Sequence, residues 1–336
     1  MNKSPVVVVM GIGTGKSLCF MLPPASCPGG LTMKLKISYA EWRSDRVPGD
    51  VSIVFIIPES AMTKRFLDFL ELRRVMAKVD RIVVDKCHTI IEGCLMFRPK
   101  LCELGTLVLV GLQMVYLTAM LPPADETAFF TMVNTRRKDV IIIRAKTIRR
   151  NVAYSVRLVT ITTAEEAIAA VIDQDHHLLP AGGGDGGSGR ELGCDAYHRE
   201  IDTRDGKAER LKFWMSGTKR EQYGDGRVIV ATNALGLGID VPDIRAVVHV
   251  EMLYRMVDYK QQSGRVGRDR QRSEAIVIRL DAQDSSKRPR PLMAEHAAMD
   301  SYIRGDVYRR VILDSIMDGR SNREGCEKGE EGYDVC

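Results

Sequence analysis

Five short β-branched runs set between helix-like stretches constrain the first half of this chain more than any other feature. They are VVVVM (6–10), IVFIIP (53–58), RIVVD (81–85), MVYLTA (114–119) and VIIIRA (140–145). Runs this apolar, with no polar alternation, read as strands buried on both faces. Between them, Ser60 to Lys78 carries helical apolar spacing, and Asp125 to Val133 offers a further helix behind Pro122 and Pro123. Strand and helix alternation implies an α/β architecture with a parallel, doubly wound sheet.

A second series of strands follows the basic stretch Arg144, Lys146, Arg149 and Arg150: VAYSVRLV (152–159), VIVAT (228–232), AVVHV (246–250) and AIVIRL (275–280). Thr163 with Glu166 forms a capping-box pattern ahead of AIAAVI, which predicts a helix there. After Leu280 the chain turns polar and proline-bearing, then shows the helical patterns AEHAAMDSYI and DVYRRVILDSIMD. The expected organisation is two α/β domains, 1–146 and 147–282, and a small helical unit, 283–336. Residues 31–50 show no clear strand where one is expected, and a glycine tract occupies 177–192 where the second domain needs another. Gly184, Gly186 and Gly189 in that tract have dinucleotide-fingerprint spacing, but no strand precedes them, so the tract reads as a linker.

A length of 336 residues suits two ordinary domains plus an appendage. No apolar run approaches the roughly 18 residues needed to span a bilayer, so no membrane segment is expected. No charged, apolar and small-residue series opens the chain, which points to an intracellular protein. Eight scattered cysteines read as thiols rather than a disulfide framework. The net charge of +5 decides little about partners.

Chemistry enters where the first strand runs into MGIGTGKSLCFMLP. Gly13, Thr14, Gly15, Lys16 and Ser17 occupy the end of a phosphate-binding loop, with SLCFML opening a helix. Backbone amides there cradle phosphate, Lys16 reaches the β and γ phosphates, and the Ser17 hydroxyl holds magnesium. Met10 stands where the strict pattern has glycine. RIVVDKCHTI then places Asp85 at the carboxyl end of a strand, the position of a second magnesium-holding acid.

RIVVDKCHTI resembles the Asp-Glu-Cys-His box of RecQ-type DNA helicases, and three further stretches follow that family's order. MVYLTAMLPP resembles the coupling motif, VIVATNALGLGIDVPDIRAVVHV resembles motif V, and QQSGRVGRDRQRSEA resembles the arginine-finger motif VI. The wording is most similar to fungal, telomere-linked RecQ-like helicases. The resemblance implies two RecA-like domains with a small zinc-binding module, ATP and magnesium as cofactors, single-stranded or partly duplex DNA as partner, 3′ to 5′ unwinding, and a nuclear location. It also implies that Gly238, Asp240, Gln261, Arg265 and Arg268 face the nucleotide from the second domain, the arginines stabilising charge on the γ-phosphate. For DNA it implies contacts at Pro58 and Glu59, at Arg98 within MFRP, at Thr118, and at Tyr197, His198, Thr232 and Asn233. Such contacts fall mostly on phosphate and sugar.

The departures point to a degenerate copy, shortened before the phosphate loop. Lys86 takes the catalytic position of the water-activating glutamate, Met120 that of the last threonine of the coupling motif, Val266 that of an alanine and Arg270 that of a glycine. Tyr308 and Tyr333 stand at two zinc-ligand positions, leaving only Cys326 and Cys336, so zinc is not expected. Without metal, residues from about 290 onward are expected to dock loosely through apolar faces around Tyr302 and Ile312. Two readings result: an ATP-dependent helicase with impaired turnover, or a non-catalytic nucleic-acid-binding protein that keeps the two-domain clamp. A phosphate-loop kinase or GTPase leaves motifs V and VI without an account.

Overall fold

The computed structural model describes residues 4–21, 31–35, 53–96, 98–159, 195–198, 203–216, 228–232, 241–250, 255–280, 294–332 and 334–335. The chain divides into two compact units, Met1–Ile148 with Asp314–Ser321, and Arg149–Leu313 with Asn322–Cys336.

The first unit holds β1 (Val6–Val9), β2 (Leu31–Leu35), β3 (Ile53–Ile56), β4 (Val79–Asp85), β5 (Gln113–Thr118) and β6 (Ile141–Arg144). They form one parallel six-stranded sheet in the order β3-β2-β4-β5-β1-β6. Because side chains alternate across a strand, an unbroken apolar run must be covered on both sides. Val7, Val9, Ile82, Val84, Met114 and Tyr116 supply one layer, against Phe66, Leu70, Ile90, Leu104, Phe129 and Phe130. The intervening Val8, Val83, Val115 and Leu117 supply the opposite layer with Phe20. Full burial of one such side chain contributes roughly 1.5–3 kcal/mol, so the central strands are anchored where they reach the candidate site. At the edge, β6 leaves Ile141 and Ile143 exposed.

The helices of this unit include α1 (Pro58–Ala61), α2 (Lys64–Val75), α3 (Thr89–Met96), α4 (Lys100–Glu103) and α5 (Glu126–Met132). The single helix expected over 60–78 is two, because the Thr63 side chain accepts the Phe66 amide as an N-cap and restarts the helix. β2 corrects the expectation of no strand in 31–50. LTMKL lacks isoleucine and valine and carries Lys34, which hid it from a search for β-branched runs. Cys87 is a buried thiol, in line with the reading of thiols rather than a disulfide framework, whereas Cys102 is disulfide-bonded.

The second unit holds a parallel sheet of β10 (Ala246–Val250), β11 (Ser273–Leu280) and β7 (Val152–Val159), in that order. A parallel pair joins β8 (Asp195–Tyr197) to β9 (Ile229–Ala231). The helices are α6 (Arg204–Ser216), α7 (Met256–Ser263), α8 (Ala294–Arg304) and α9 (Arg309–Asp318). The expected capping box and glycine tract lie outside the described residues.

The tail does not dock loosely, and its contacts are divided between the two units rather than forming a third. Tyr302 and Ile312 are buried as expected, but so are Arg309, Arg310 and Arg323. Arg310, 0% exposed, donates to the carbonyls of Val152 at 2.6 Å and Glu331 at 3.1 Å and pairs with Glu330 at 3.3 Å. Glu330 also pairs with Arg323 and accepts the Glu327 amide at 2.9 Å. Arg309 holds both oxygens of Asp334, at 2.7 and 2.6 Å, and Asp334 accepts the Val156 amide at 2.8 Å. Charge-assisted hydrogen bonds of this kind tie the last residues to β7. Loose docking was expected because an apolar-only count omits what buried, fully engaged arginines can hold.

Candidate nucleotide and nucleic-acid sites

In the first unit, register aligns Val9 of β1 with Thr118 of β5, and Leu117 of β5 with Asp85 of β4. The phosphate loop, the acid box and the coupling motif therefore leave the sheet at one carboxyl edge, where open α/β sheets bind ligands. Hydrogen bonds lace the three together: Met10 N–H donates to the Thr118 carbonyl at 3.0 Å, and Cys87 N–H to the Leu117 carbonyl at 3.1 Å.

Within the loop, Gly13 and Gly15 have φ of 80° and 83°, a left-handed backbone that glycine adopts without a side-chain clash. Met10 is not among the positive-φ residues and simply continues the strand, so the missing glycine carries no backbone penalty. Thr14 Oγ1 donates to the Gly11 carbonyl at 2.7 Å. Lys16 Nζ donates to the carbonyls of Met10 at 2.8 Å and Gly11 at 2.7 Å, which holds the ammonium over the loop. Ser17 is exposed as a helical turn starts, with Leu18 N–H on the Gly15 carbonyl at 2.9 Å.

Asp85 ends β4 and its Oδ1 accepts the Lys86 amide at 3.0 Å. Ser17 and Asp85 are hard oxygen donors of the kind magnesium takes alongside phosphates, and among the described residues no group of three or more His, Cys, Asp or Glu offers a metal site. Lys86 has φ of 55°, an uncommon left-handed conformation for a side-chain-bearing residue. Its ammonium donates hydrogen bonds and accepts none.

The structure joins one residue to this set that sequence reading passed over. His88 Nδ1 lies 2.7 Å from Thr118 Oγ1, which in turn is 3.0 Å from both the carbonyl and the amide of Met120. The only sequence signal was the histidine of the box itself. Thr118 is 1% exposed, with its hydroxyl shared among these groups. Pro58 is buried in α1, and Arg98 Nε pairs with Glu59 Oε1 at 3.0 Å, so two of the expected contact residues hold each other.

In the second unit, α7 presents Gln261 half-exposed, while Gln262 hydrogen-bonds His249. Burial drives His249 down to about 4 against that hydrogen bond, so it is a neutral core histidine at physiological pH. The helix ends at Gly264, and the loop beyond it carries Arg265 and Arg268 around a fully buried Val266. Tyr197 and Thr232 meet at the end of the β8–β9 pair, the Thr232 amide donating to the Tyr197 carbonyl at 3.2 Å, with His198 and Thr232 exposed. Asn233, Gly238 and Asp240 lie outside the described residues, as do Tyr333 and Cys336. Cys326 is exposed and in no disulfide, and Asp334 pairs with Arg309.

Arg270 has φ of 69° at the position where glycine was expected. Left-handed backbone costs a side-chain-bearing residue about 1–2 kcal/mol, and glycine gives back about 0.5–1 kcal/mol in chain entropy. Arg270→Gly is therefore expected to stabilise the protein by about 0.5–1 kcal/mol in denaturant titration. A loss of stability there would contradict it.

Comparison with known proteins agrees with this arrangement. Residues 194–270 match the family model described as helicase conserved C-terminal domain. The chain is 26% identical over 333 residues to ATP-dependent DNA helicase Q-like 2 of Arabidopsis thaliana, covering 83% of this chain and 45% of that protein. It is 27% identical to ATP-dependent DNA helicase Q1 of Pongo abelii (81% and 48%) and 23% identical to ATP-dependent DNA helicase RecQ of Haemophilus influenzae (93% and 56%). The chain thus spans about half the length of the curated relatives it matches. Among solved structures, S. cerevisiae Dbp5 bound to RNA and ADP BeF3 superposes with a TM-score of 0.52 at 15% identity, covering 90% of this chain and 84% of that one. DUF1998 helicase MrfA bound to DNA and AMPPNP gives 0.52 at 13% identity, covering 99% and 50%. At such identities the likeness speaks for the fold alone, two RecA-like parallel-sheet domains. The phosphate loop, acid box and coupling motif stand on one sheet edge and the finger loop lies in the second unit, and over 81–93% of its length the chain is similar to RecQ-type ATP-dependent DNA helicases.

Proposed function

We propose that this chain is an ATP-dependent DNA helicase of RecQ type, working 3′ to 5′ on nuclear DNA, with slowed ATP turnover. The observation that carries it is the convergence, on one carboxyl edge of the first sheet, of the three segments that bear Lys16, Asp85 and Thr118, whose backbones are joined by the Met10–Thr118 and Cys87–Leu117 hydrogen bonds. The loop amides and Lys16 bind the phosphates, Ser17 and Asp85 hold magnesium, and bound magnesium neutralises phosphate charge. Gln261, Arg265 and Arg268, together with Gly238 and Asp240, serve the nucleotide from the second unit. Glu59, Arg98, Tyr197, His198, Thr232 and Asn233 serve the DNA backbone. None of the described helices is long and apolar enough to cross a membrane.

Lys86 favours a second reading, a helicase-like protein that binds ATP and DNA without turnover. DNA-stimulated ATPase of the purified chain, with Lys16→Ala as control, separates the two. Loss of nucleotide binding in Lys16→Ala is expected under both, and unchanged binding would remove the phosphate-loop assignment. Affinity for single-stranded DNA is expected to fall steeply with salt, because each neutralised phosphate releases counterions. An interface of 6–10 phosphate contacts loses about 10³- to 10⁵-fold between 50 and 200 mM salt. A flat response over that range would rule out the DNA clamp.

A further inference from the structure

We infer that Arg149 and Asn151, the opening residues of the second unit, are positioning residues that set the two candidate fingers by gripping their loop at both ends. The inference rests on the reading of Arg265 and Arg268 as nucleotide-facing. Arg149 Nη2 donates to the Gly264 carbonyl at 3.0 Å, and Gly264 is the residue before Arg265. Asn151 Nδ2 donates to the Gly267 carbonyl at 2.9 Å, and Gly267 is the residue before Arg268. The same amide reaches the Gln271 carbonyl at 2.7 Å, and the Asn151 carbonyl accepts the Ser273 amide at 3.0 Å. Each finger therefore follows a peptide plane whose oxygen is held from outside the loop. Rotation of that plane would swing the next Cα–Cβ bond and the guanidinium beyond it.

Two further observations separate this from ordinary loop packing. Gly267 has φ of 56°, and a Cβ there would stand 2.5 Å from Asn151 Nδ2 and 2.6 Å from Ser273 Oγ, so loop and asparagine interlock. Arg149 is also expensively placed. Burial lowers its pKa from the usual arginine value and the neighbouring Arg268 lowers it further, with Tyr154 and Asp269 acting the other way. A cation set against a second cation in a desolvated place is a signature of functional sites rather than of cores. The gripping segment is itself anchored. Arg310 donates to the carbonyls of Arg149 at 3.4 Å, Arg150 at 3.3 Å and Val152 at 2.6 Å.

Hydrogen-exchange mass spectrometry of the full chain tests the grip without any nucleotide. Asn151→Ala and Arg149→Leu are each expected to speed exchange of the amides between 265 and 271 by about tenfold, with exchange in the first unit unchanged. Arg149→Lys, which keeps a donor and the charge, is expected to restore protection. Single-turnover ATP hydrolysis in the Lys86→Glu background reads the catalytic consequence. Asn151→Ala is expected to lower the rate by about tenfold to hundredfold at saturating ATP with KM little changed, the effect of misplacing a reacting group by about an ångström. Unchanged loop exchange in both Asn151→Ala and Arg149→Leu overturns the inference, as does faster exchange with an unchanged rate. Failure of the helicase reading shows elsewhere, as nucleotide binding that survives Lys16→Ala. Should Asn151→Ala not fold, the Arg149→Leu and Arg149→Lys pair decides alone.

Discussion

Arg310→Met lowers the unfolding free energy by about 3–5 kcal/mol, the cost of removing one partner from a buried ion pair. Methionine fills much of the volume but leaves the Val152 and Glu331 carbonyls without the donor that Arg310 now supplies, and leaves Glu330 paired with Arg323 alone. Arg310 also stacks over the Tyr154 ring at 5.4 Å, so the loss includes packing. The alternative support for the tail, a structural zinc, predicts the opposite pattern. If the ion pairs hold the tail, a chelator leaves the melting temperature unchanged and metal analysis finds no stoichiometric zinc. One zinc per chain with a variant that melts like the parent would discard the ionic account.

The same network gives a pH dependence with a definite sign. Burial would raise the Glu330 carboxyl, but hydrogen bonds from Arg323 and the Glu327 amide and the charges of Arg310 and Arg323 outweigh it and hold it below its usual 4.5. A carboxyl whose folded pKa is depressed stabilises the fold above the unfolded value and loses that contribution as pH falls through the folded one. The stability gap between parent and Arg310→Met is therefore full near neutrality and narrows only below about pH 4.5. A gap that widened on acidification would contradict the assignment of Glu330 as the ionised partner.

The elements legible in the sequence were those in which one physical requirement dominated. β1 and the central stretches of β4 (Ile82–Val84) and β5 (Met114–Leu117) are apolar because both sheet faces are covered, and their carboxyl ends carry the phosphate loop, Asp85 and the coupling motif. β2 was illegible because a strand containing Lys34 and no valine or isoleucine is defined by its neighbours β3 and β4 rather than by its own residues. The burial of Thr118 was not legible, because motif resemblance says which residues recur and not whether they are buried. The His88–Thr118 contact joins positions 30 residues apart, and no local pattern announces it. The tail was misjudged for a different reason. Arg310, Arg323 and Glu330, three charged residues separated in sequence, look like a solvated face until the fold brings them together.

Lys86→Glu raises ATP hydrolysis by about 10²-fold or more, since a positioned general base commonly contributes about 10²- to 10⁴-fold. The rest of the first unit's edge is assembled for it: Lys16 is held over the loop, Asp85 ends its strand, and the backbone of residue 86 is fixed at both ends, its amide donating to Asp85 Oδ1 at 3.0 Å and its carbonyl accepting from Thr89 Oγ1 at 2.8 Å. The backbone at 86 is thus held independently of its side chain, and lysine already adopts the φ of 55° that glutamate would inherit. Two effects are combined in the substitution, removal of a positive charge beside the magnesium-holding acid and gain of a proton acceptor. Lys86→Gln separates them, because it removes the charge without supplying a base. The expected order of single-turnover rates is Glu well above Gln, with Gln above the parent and nucleotide affinity similar in the two variants. Equal rates for Glu and Gln would mean that charge, not the missing base, limits turnover. Rates unchanged from the parent in both would place the block at Met120 or in the finger loop around Val266 and Arg270, and would leave the chain as a nucleotide- and DNA-binding protein that does not turn over.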